Sequence, residues 1–189
     1  MIDIKLDADH KYTVNGGHVP GFTEICRNLG IIEDSKFWTD DGRKQGTAIH
    51  HWTLFLASGY KSGNEPEPEI AGRVEGFKKF LYESRFIFMG GENILYEPNL
   101  RYCCKPDLYG HLGTTAVVIE VKRGAIMKSH AIQTAAQKIA LAASGFRAHA
   151  RYGLYLSDGG YRLIEHTDKE DETRWRAIVA AYWAKSFYK

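Results

Sequence analysis

The stretch Lys105–Gly124, KPDLYGHLGTTAVVIEVKRG, decides the fold. Its second half, Ala116 to Val121, reads as a buried β-strand rich in Val and Ile. The turn-like His111-Leu112-Gly113 connects it to a preceding strand, so that the two lie side by side. Side chains alternate faces along a strand. Val117, Ile119 and Val121 therefore face apolar packing, while Val118, Glu120 and Lys122 point the other way. A charge on so apolar a strand is costly unless it is paired or bound to an ion.

Lys105 and Asp107 share a face of the preceding strand, which brings Asp107 near Glu120. Two carboxylates held close repel each other, and one takes up a proton unless a cation sits between them. Hard oxygen ligands of this kind suit Mg²⁺ or Mn²⁺. Lys122 adds a fixed positive charge on the same face. A divalent ion beside an ammonium is what phosphodiester hydrolysis requires: the ion polarises the phosphate, and the ammonium stabilises charge in the transition state. A surface salt-bridge set would use the same residue types. The apolar strand that Glu120 and Lys122 terminate favours a site, as does Pro106, which ends regular pairing just before Asp107.

The rest of the chain sets the context. Its 189 residues suffice for one domain with a real core, 1–189, with a mainly helical part over 1–90 and a catalytic core over 91–189. Hydrophobic residues make up 44% and charged residues 25%, as in ordinary globular proteins. No apolar run approaches the roughly 20 residues of a membrane helix. The polar, acidic start MIDIKLDADHKY is not a secretory signal. Three cysteines, two of them adjacent (Cys103 and Cys104), argue against a disulfide framework and for a reducing, cytoplasmic compartment. The net charge of +2 conceals an asymmetry: residues 1–95 hold 11 Lys/Arg against 14 Asp/Glu, and residues 96–189 hold 14 against 9. A basic half suits a polyanionic partner.

Short strands are expected at the start, with Asn15-Gly16 as a hairpin turn. A short helix follows, with Thr23 as N-cap and Gly30 as stop. Ile49, Trp52, Thr53 and Leu56 recur at helical spacing up to Gly59, and Ile70, Val74, Phe77 and Leu81 form the stripe of a further helix. Lys61–Glu69 reads as a polar loop between them. After the central strands come a helix over SHAIQTAAQKIALAASG, with Ser129 as N-cap and Gly145 as stop, a hairpin turning at Asp158-Gly159, and a closing helix. This order predicts a mixed α/β (α+β) fold, a central sheet flanked by helices.

Together these motifs resemble the PD-(D/E)XK nuclease superfamily, whose core is restriction-endonuclease-like. The closer likeness is to its RecB-type domains and phage exonucleases, including those similar to the mitochondrial genome maintenance exonuclease. The likeness runs through VNGGHVPGFTEI, QGTAIHHW, YEPNL…CKPDLYG, VVIEVKRG and HAIQTAAQKIAL, and covers most of the chain. It implies Asp107 and Glu120 as metal-binding carboxylates, the Val121 carbonyl and His50 as further ligands, and Lys122 as the catalytic lysine. Gln133 would steady the site or contact a phosphate. Apart from the resemblance, Lys105, Arg123 and Gln137 are candidates to touch substrate, with solvated surface side chains as the alternative. Glu97 stands where related nucleases often carry a glutamate, and a salt bridge fits it equally.

The departures fall on the phosphate contacts: Gln137 stands in place of a tyrosine, Gln45 in place of an arginine before Gly46, and Gly21 in place of a serine. Relatives that carry an iron–sulfur cluster use four cysteines; with three, no cluster is expected.

The resemblance implies a Mg²⁺- or Mn²⁺-dependent deoxyribonuclease, an exonuclease of phage-type recombination, replication or repair. Its partners would be DNA and a single-strand annealing or replication protein, with an oligomer open and the host cytoplasm as the location of a phage-encoded enzyme. Competing readings are a structure-specific or restriction-type endonuclease, a non-catalytic nucleic-acid-binding protein on the same fold, and a phosphodiesterase acting on RNA or small molecules.

Overall fold

The computed structural model describes residues 2–7, 11–32, 39–60 and 63–188; Lys61 and Ser62, where the polar loop was expected to begin, lie outside the described residues. The chain opens with β1 (Ile4–Leu6), β2 (Tyr12–Val14) and β3 (Gly17–Val19), an antiparallel three-stranded sheet. Asn15 and Gly16 both take positive φ between β2 and β3, as expected of a tight hairpin turn. Three helices follow: α1 (Phe22–Asn28), α2 (Asp40–Ala57) and α3 (Pro68–Ser84).

α1 starts earlier than a Thr23 cap predicts, with Gly21 as the N-cap residue. The reason is tertiary. Gly21 bridges to Cys103, and Pro20 accepts the Cys103 N–H at 2.9 Å, so the chain stays extended up to Gly21 and can coil only beyond it. α2 is capped by Thr39, whose hydroxyl accepts the Gly42 N–H at 3.0 Å.

The strands β4 (Ile87–Gly90), β5 (Leu95–Glu97), β6 (Tyr102–Cys104), β7 (Leu108–Leu112) and β8 (Thr115–Lys122) come next. α4 (Lys128–Ala143), β9 (Ala150–Ser157), β10 (Gly160–Glu165) and α5 (Glu170–Phe187) complete the described fold. β4 has no counterpart among the sequence expectations. The central sheet has the order β10-β9-β8-β7-β4, while β5 and β6 form a separate pair. β8 runs antiparallel to β7 and parallel to β9, with α4 as the crossover between the parallel strands. The sheet is therefore mixed, and the mixed α/β class read from the sequence holds.

Helices cover both faces of the sheet. Val117, Ile119 and Val121 of β8 pack in one core with Ile49 of α2 and Val74, Phe77 and Phe80 of α3. Val118 lies in a second core with Ala136 and Ala140 of α4 and Trp175 and Val179 of α5. This explains why β8 reads as a continuous apolar run: a central strand with a parallel neighbour and both faces covered needs apolar side chains on each. Among the described residues, no helix is long and apolar enough to cross a membrane.

α4 begins at Lys128 with Met127 as N-cap residue, not Ser129. The Met127 N–H is directed at the ring of His130, so His130 satisfies the helix start that Ser129 was expected to cap.

Candidate metal centre

The site forms where β8 ends and the strand before it breaks. Lys105 and Asp107 do not share a regular strand face: β6 ends at Cys104 and pairs with β5, β7 begins at Leu108 and pairs with β8, and Lys105, Pro106 and Asp107 link the two. Pro106 has no N–H to give a ladder. The last registered pair here is Leu108 with Ile119, so Asp107 falls one step beyond it, beside Glu120. The Val121 N–H donates to Asp107 Oδ2 at 2.7 Å, which fixes one carboxylate oxygen against the backbone.

The other oxygen, Oδ1, lies 3.0 Å from His50 Nδ1. α2 presents His50 from the far wall, held by packing of the neighbouring Ile49 and by Thr53, whose hydroxyl donates to the His50 carbonyl at 2.9 Å. A third ligand-type side chain converges here, Glu92. Its Oε1 lies 3.6 Å from His50 Nδ1, and its Oε2 lies 2.5 Å from Lys105 Nζ. His50, Glu92 and Asp107 each offer one ligand atom within 4.8 Å of the others. One imidazole and two carboxylates form a donor set that suits a divalent cation.

Glu92 is absent from the sequence-derived site. It follows Gly90-Gly91 in the β4–β5 connection and takes φ 56, an unusual backbone conformation for a residue with a side chain. Its N–H donates to the Pro106 carbonyl at 2.7 Å. Gly91 lies so close to the Asp107 backbone that an added Cβ would meet the Asp107 carbonyl oxygen at 2.2 Å. The connection is thus pressed onto the Lys105–Asp107 link, and Glu92 is aimed by that contact. The available signal was a paired glycine followed by a carboxylate, which marks a turn but not its direction.

Glu120 stands beside this trio without joining its converging atoms. Its Oε1 accepts from Lys122 Nζ at 2.6 Å and from Gln133 Nε2 at 2.7 Å, and its Oε2 accepts from Gln137 Nε2 at 2.5 Å. Gln133 and Gln137 share one face of α4, the crossover helix packed over β8. Gln137 is buried, and its Oε1 has no hydrogen-bond partner among the described residues. Gln137, expected to touch substrate, turns its amide to Glu120.

The electrostatics follow from this crowding. Burial, reinforced by the Asp107 charge, pushes the Glu120 carboxyl above its ordinary range despite Lys122. Burial acts on Asp107 too, but His50, Lys122 and the Val121 N–H outweigh it and hold Asp107 low. Glu92 is likewise held low, with the His50 and Lys105 hydrogen bonds overcoming burial. The Asp107 charge raises His50 to about 10 against the effect of burial. Burial would lower the Lys122 ammonium, yet Glu120 and Asp107 keep it above its usual value.

The remaining candidates lie around this centre. Lys105 ion-pairs with Glu92. Arg123, at the exit of β8, donates to Gln45 Oε1 of α2 at 3.1 Å and so ties the strand end to that helix. Glu97 does not reach the cluster: its carboxylate accepts from Asn99 Nδ2 at 3.0 Å and from the Leu100 N–H at 2.5 Å, closing the β5–β6 turn. Cys26, Cys103 and Cys104 are buried as free thiols. A cleft of about 750 Å³ opens beside the centre, with Lys105, Gln133 and Gln137 at one part of its wall and Lys11 and Tyr12 of the N-terminal sheet at another.

No family model matches the sequence. No curated protein matches it either. Solved structures do match. One is a protein from Eubacterium rectale described as a "putative exonuclease", at a TM-score of 0.51 and 11% identity, covering 88% of this chain and 72% of that one. At this identity the likeness is one of fold: the two proteins share the mixed sheet and its covering helices.

Proposed function

We propose that this protein is a Mg²⁺- or Mn²⁺-dependent DNA nuclease, an exonuclease of the RecB-type and phage branch of the PD-(D/E)XK superfamily. The observation that carries the reading is the assembly at the end of β8: His50, Glu92 and Asp107 converge beside the buried Glu120 and its half-buried partner Lys122. The nuclease-like fold of the structural neighbour supports it.

The donor set fits a hard divalent cation, with the two carboxylates favouring Mg²⁺ or Mn²⁺ and the imidazole tolerated by the latter. When bound, such an ion supplies Lewis acidity to a phosphate oxygen and acidifies a water molecule. The protein's own groups do the rest. His50, Glu92 and Asp107 hold the cation, with Asp107 pre-aimed by the Val121 N–H. Lys122, fixed by Glu120, presents an ammonium that orients the attacking water and stabilises charge on the phosphate. Gln133 and Gln137 hold Glu120, so that the Lys122 partner cannot swing away. Lys105 and Arg123 contribute positive charge along the path of a DNA strand.

The test compares linear with covalently closed circular DNA in Mg²⁺ or Mn²⁺. Release of mononucleotides from linear DNA, with the circle intact, is expected. Nicking or linearisation of the circle would replace the exonuclease with an endonuclease. Degradation no faster than that by Glu120→Ala or Lys122→Ala proteins would remove the catalytic claim.

A further inference from the structure

On α4, His130, Gln133 and Gln137 follow one another at helical spacing. Gln133 and Gln137 both donate to Glu120, whereas His130 stands one turn earlier and does not. Its tautomer is fixed by its surroundings. The Met127 backbone N–H points at His130 Nδ1 from 3.4 Å, and a backbone N–H can only donate. The Tyr155 hydroxyl lies 2.9 Å from the same nitrogen and donates to it as well. The ring proton therefore sits on Nε2, for which the described residues provide no hydrogen-bond partner.

Tyr155 ties this histidine to the proposed centre. In the parallel β8–β9 register, Tyr155 is the partner of Lys122, and Gly153 is the partner of Glu120. The Tyr155 ring lies back over Gly153, where an added Cβ would meet its Cε2 at 2.7 Å. The absence of a side chain at Gly153 is what lets the ring lie there, with its hydroxyl reaching His130. Burial, helped by the Lys122 charge, lowers His130 to about 4, which keeps the imidazole neutral in ordinary buffers. A neutral ring with Nδ1 occupied can offer its surroundings one thing, an N–H donor at Nε2. The neighbouring ammonium of Lys122 is engaged by Glu120. In a DNA backbone the groups that seek such a donor are phosphate oxygens.

We propose that His130 is a substrate-contacting residue: its Nε2–H donates to a backbone phosphate oxygen next to the phosphate held at the His50–Glu92–Asp107 cluster. The inference rests on the nuclease reading. Three residues, about 4.5 Å along α4, separate His130 from Gln133, so the ring stands less than one turn from the side chain that holds Glu120. The contact is neutral, so it releases no counterion and leaves the salt dependence of binding unchanged.

The experiment measures the affinity of metal-free full-length protein for a short single-stranded DNA and for the same sequence as a duplex, over a range of salt concentrations. His130→Phe keeps a ring against Tyr155 and loses the donor; His130→Gln keeps an N–H. Affinity is expected to fall roughly tenfold in His130→Phe for at least one of the two DNA forms, with most of the loss recovered in His130→Gln. The slope of log affinity against log salt should match that of wild type. Unchanged affinity in His130→Phe, or in His130→Ala should the Phe variant not fold, overturns the proposal. So does a glutamine variant no better than phenylalanine, or a slope reduced by the equivalent of one ionic contact, about 0.7–0.9. Wild-type protein that degrades no DNA in Mg²⁺ or Mn²⁺ would overturn the nuclease reading alone, since the affinity ratios still decide the role of His130.

Discussion

His50 Nδ1 stands 3.0 Å from Asp107 Oδ1, so a cation bound at the proposed centre would have to displace a proton held between them. The Asp107 charge raises His50 to about 10, so below that pH the imidazole is protonated. A metal ligand must be neutral, so each ion bound releases this proton. Metal affinity is therefore expected to rise with pH by about tenfold per unit through the neutral range. Calorimetry in buffers of different ionisation enthalpy checks it by counting the protons released. Glu92→Gln, which removes one of the three converging ligands, should weaken Mn²⁺ binding by at least about tenfold in the same experiment.

Lys122 is the fixed ammonium of the site and the partner of a buried carboxylate. Lys122→Met should lower DNA degradation by about a hundredfold or more, on the scale of losing one preorganised group that stabilises transition-state charge. It should also push Glu120 further above its ordinary range, because the pairing that opposes burial is gone. Degradation assays read the first effect, and the carboxyl stretching frequency of Glu120 by difference infrared spectroscopy reads the second.

Gly91 has no room for a side chain. Gly91→Ala would place a methyl 2.2 Å from the Asp107 carbonyl oxygen, forcing the β4–β5 connection away from the Lys105–Asp107 link. A loss of about 1–3 kcal/mol in stability is expected, together with weaker metal binding, since Glu92 rides on that connection. Urea unfolding with and without Mn²⁺ measures both, and the variant should gain less than wild type from the added metal.

His130 carries a sign for acid stability. Its folded value, about 4, lies below the ordinary 6.5, so between these pH values the unfolded chain binds a proton that the folded one refuses. Stability therefore falls as pH drops from about 6.5 towards 4. His166, lowered by burial and Arg151, adds to the same trend. Urea midpoints at pH 7.5 and 4.5 should differ less in His130→Gln than in wild type.

The pairing of β7 with β8 and the shared face of Glu120 and Lys122 were legible because strand alternation and an apolar run are local signals, whereas Asp107 reaches Glu120 from the irregular link before β7, which alternation does not describe. His50 and Gln133 came from the resemblance to known nuclease motifs and Gln137 from its place one turn after Gln133, and the fold brings all three to the same strand end. Glu92 was not legible. Its direction depends on a left-handed residue after two glycines and on a hydrogen bond to Pro106, both consequences of tertiary contact. The same holds for Gln137, whose burial against Glu120 depends on how α4 docks, and for Arg123, whose reach to Gln45 depends on α2. The misplaced helix starts at Thr23 and Ser129 have this origin too. A β-bridge kept Gly21 extended, and a histidine side chain took the capping role, neither of which a propensity pattern contains.

The two helical covers of the sheet meet at the end of β8. α2 brings His50 from one cover, and α4 brings Gln133 and Gln137 from the other. Neither cover alone can complete the arrangement, and segments this far apart in sequence must close long loops before any of these groups touch. During refolding, the capacity to bind a divalent ion should therefore appear after helical structure has formed. Ion binding then serves as a probe of the docking of the α2 cover, since His50 is the ligand that a helix brings to Glu92 and Asp107.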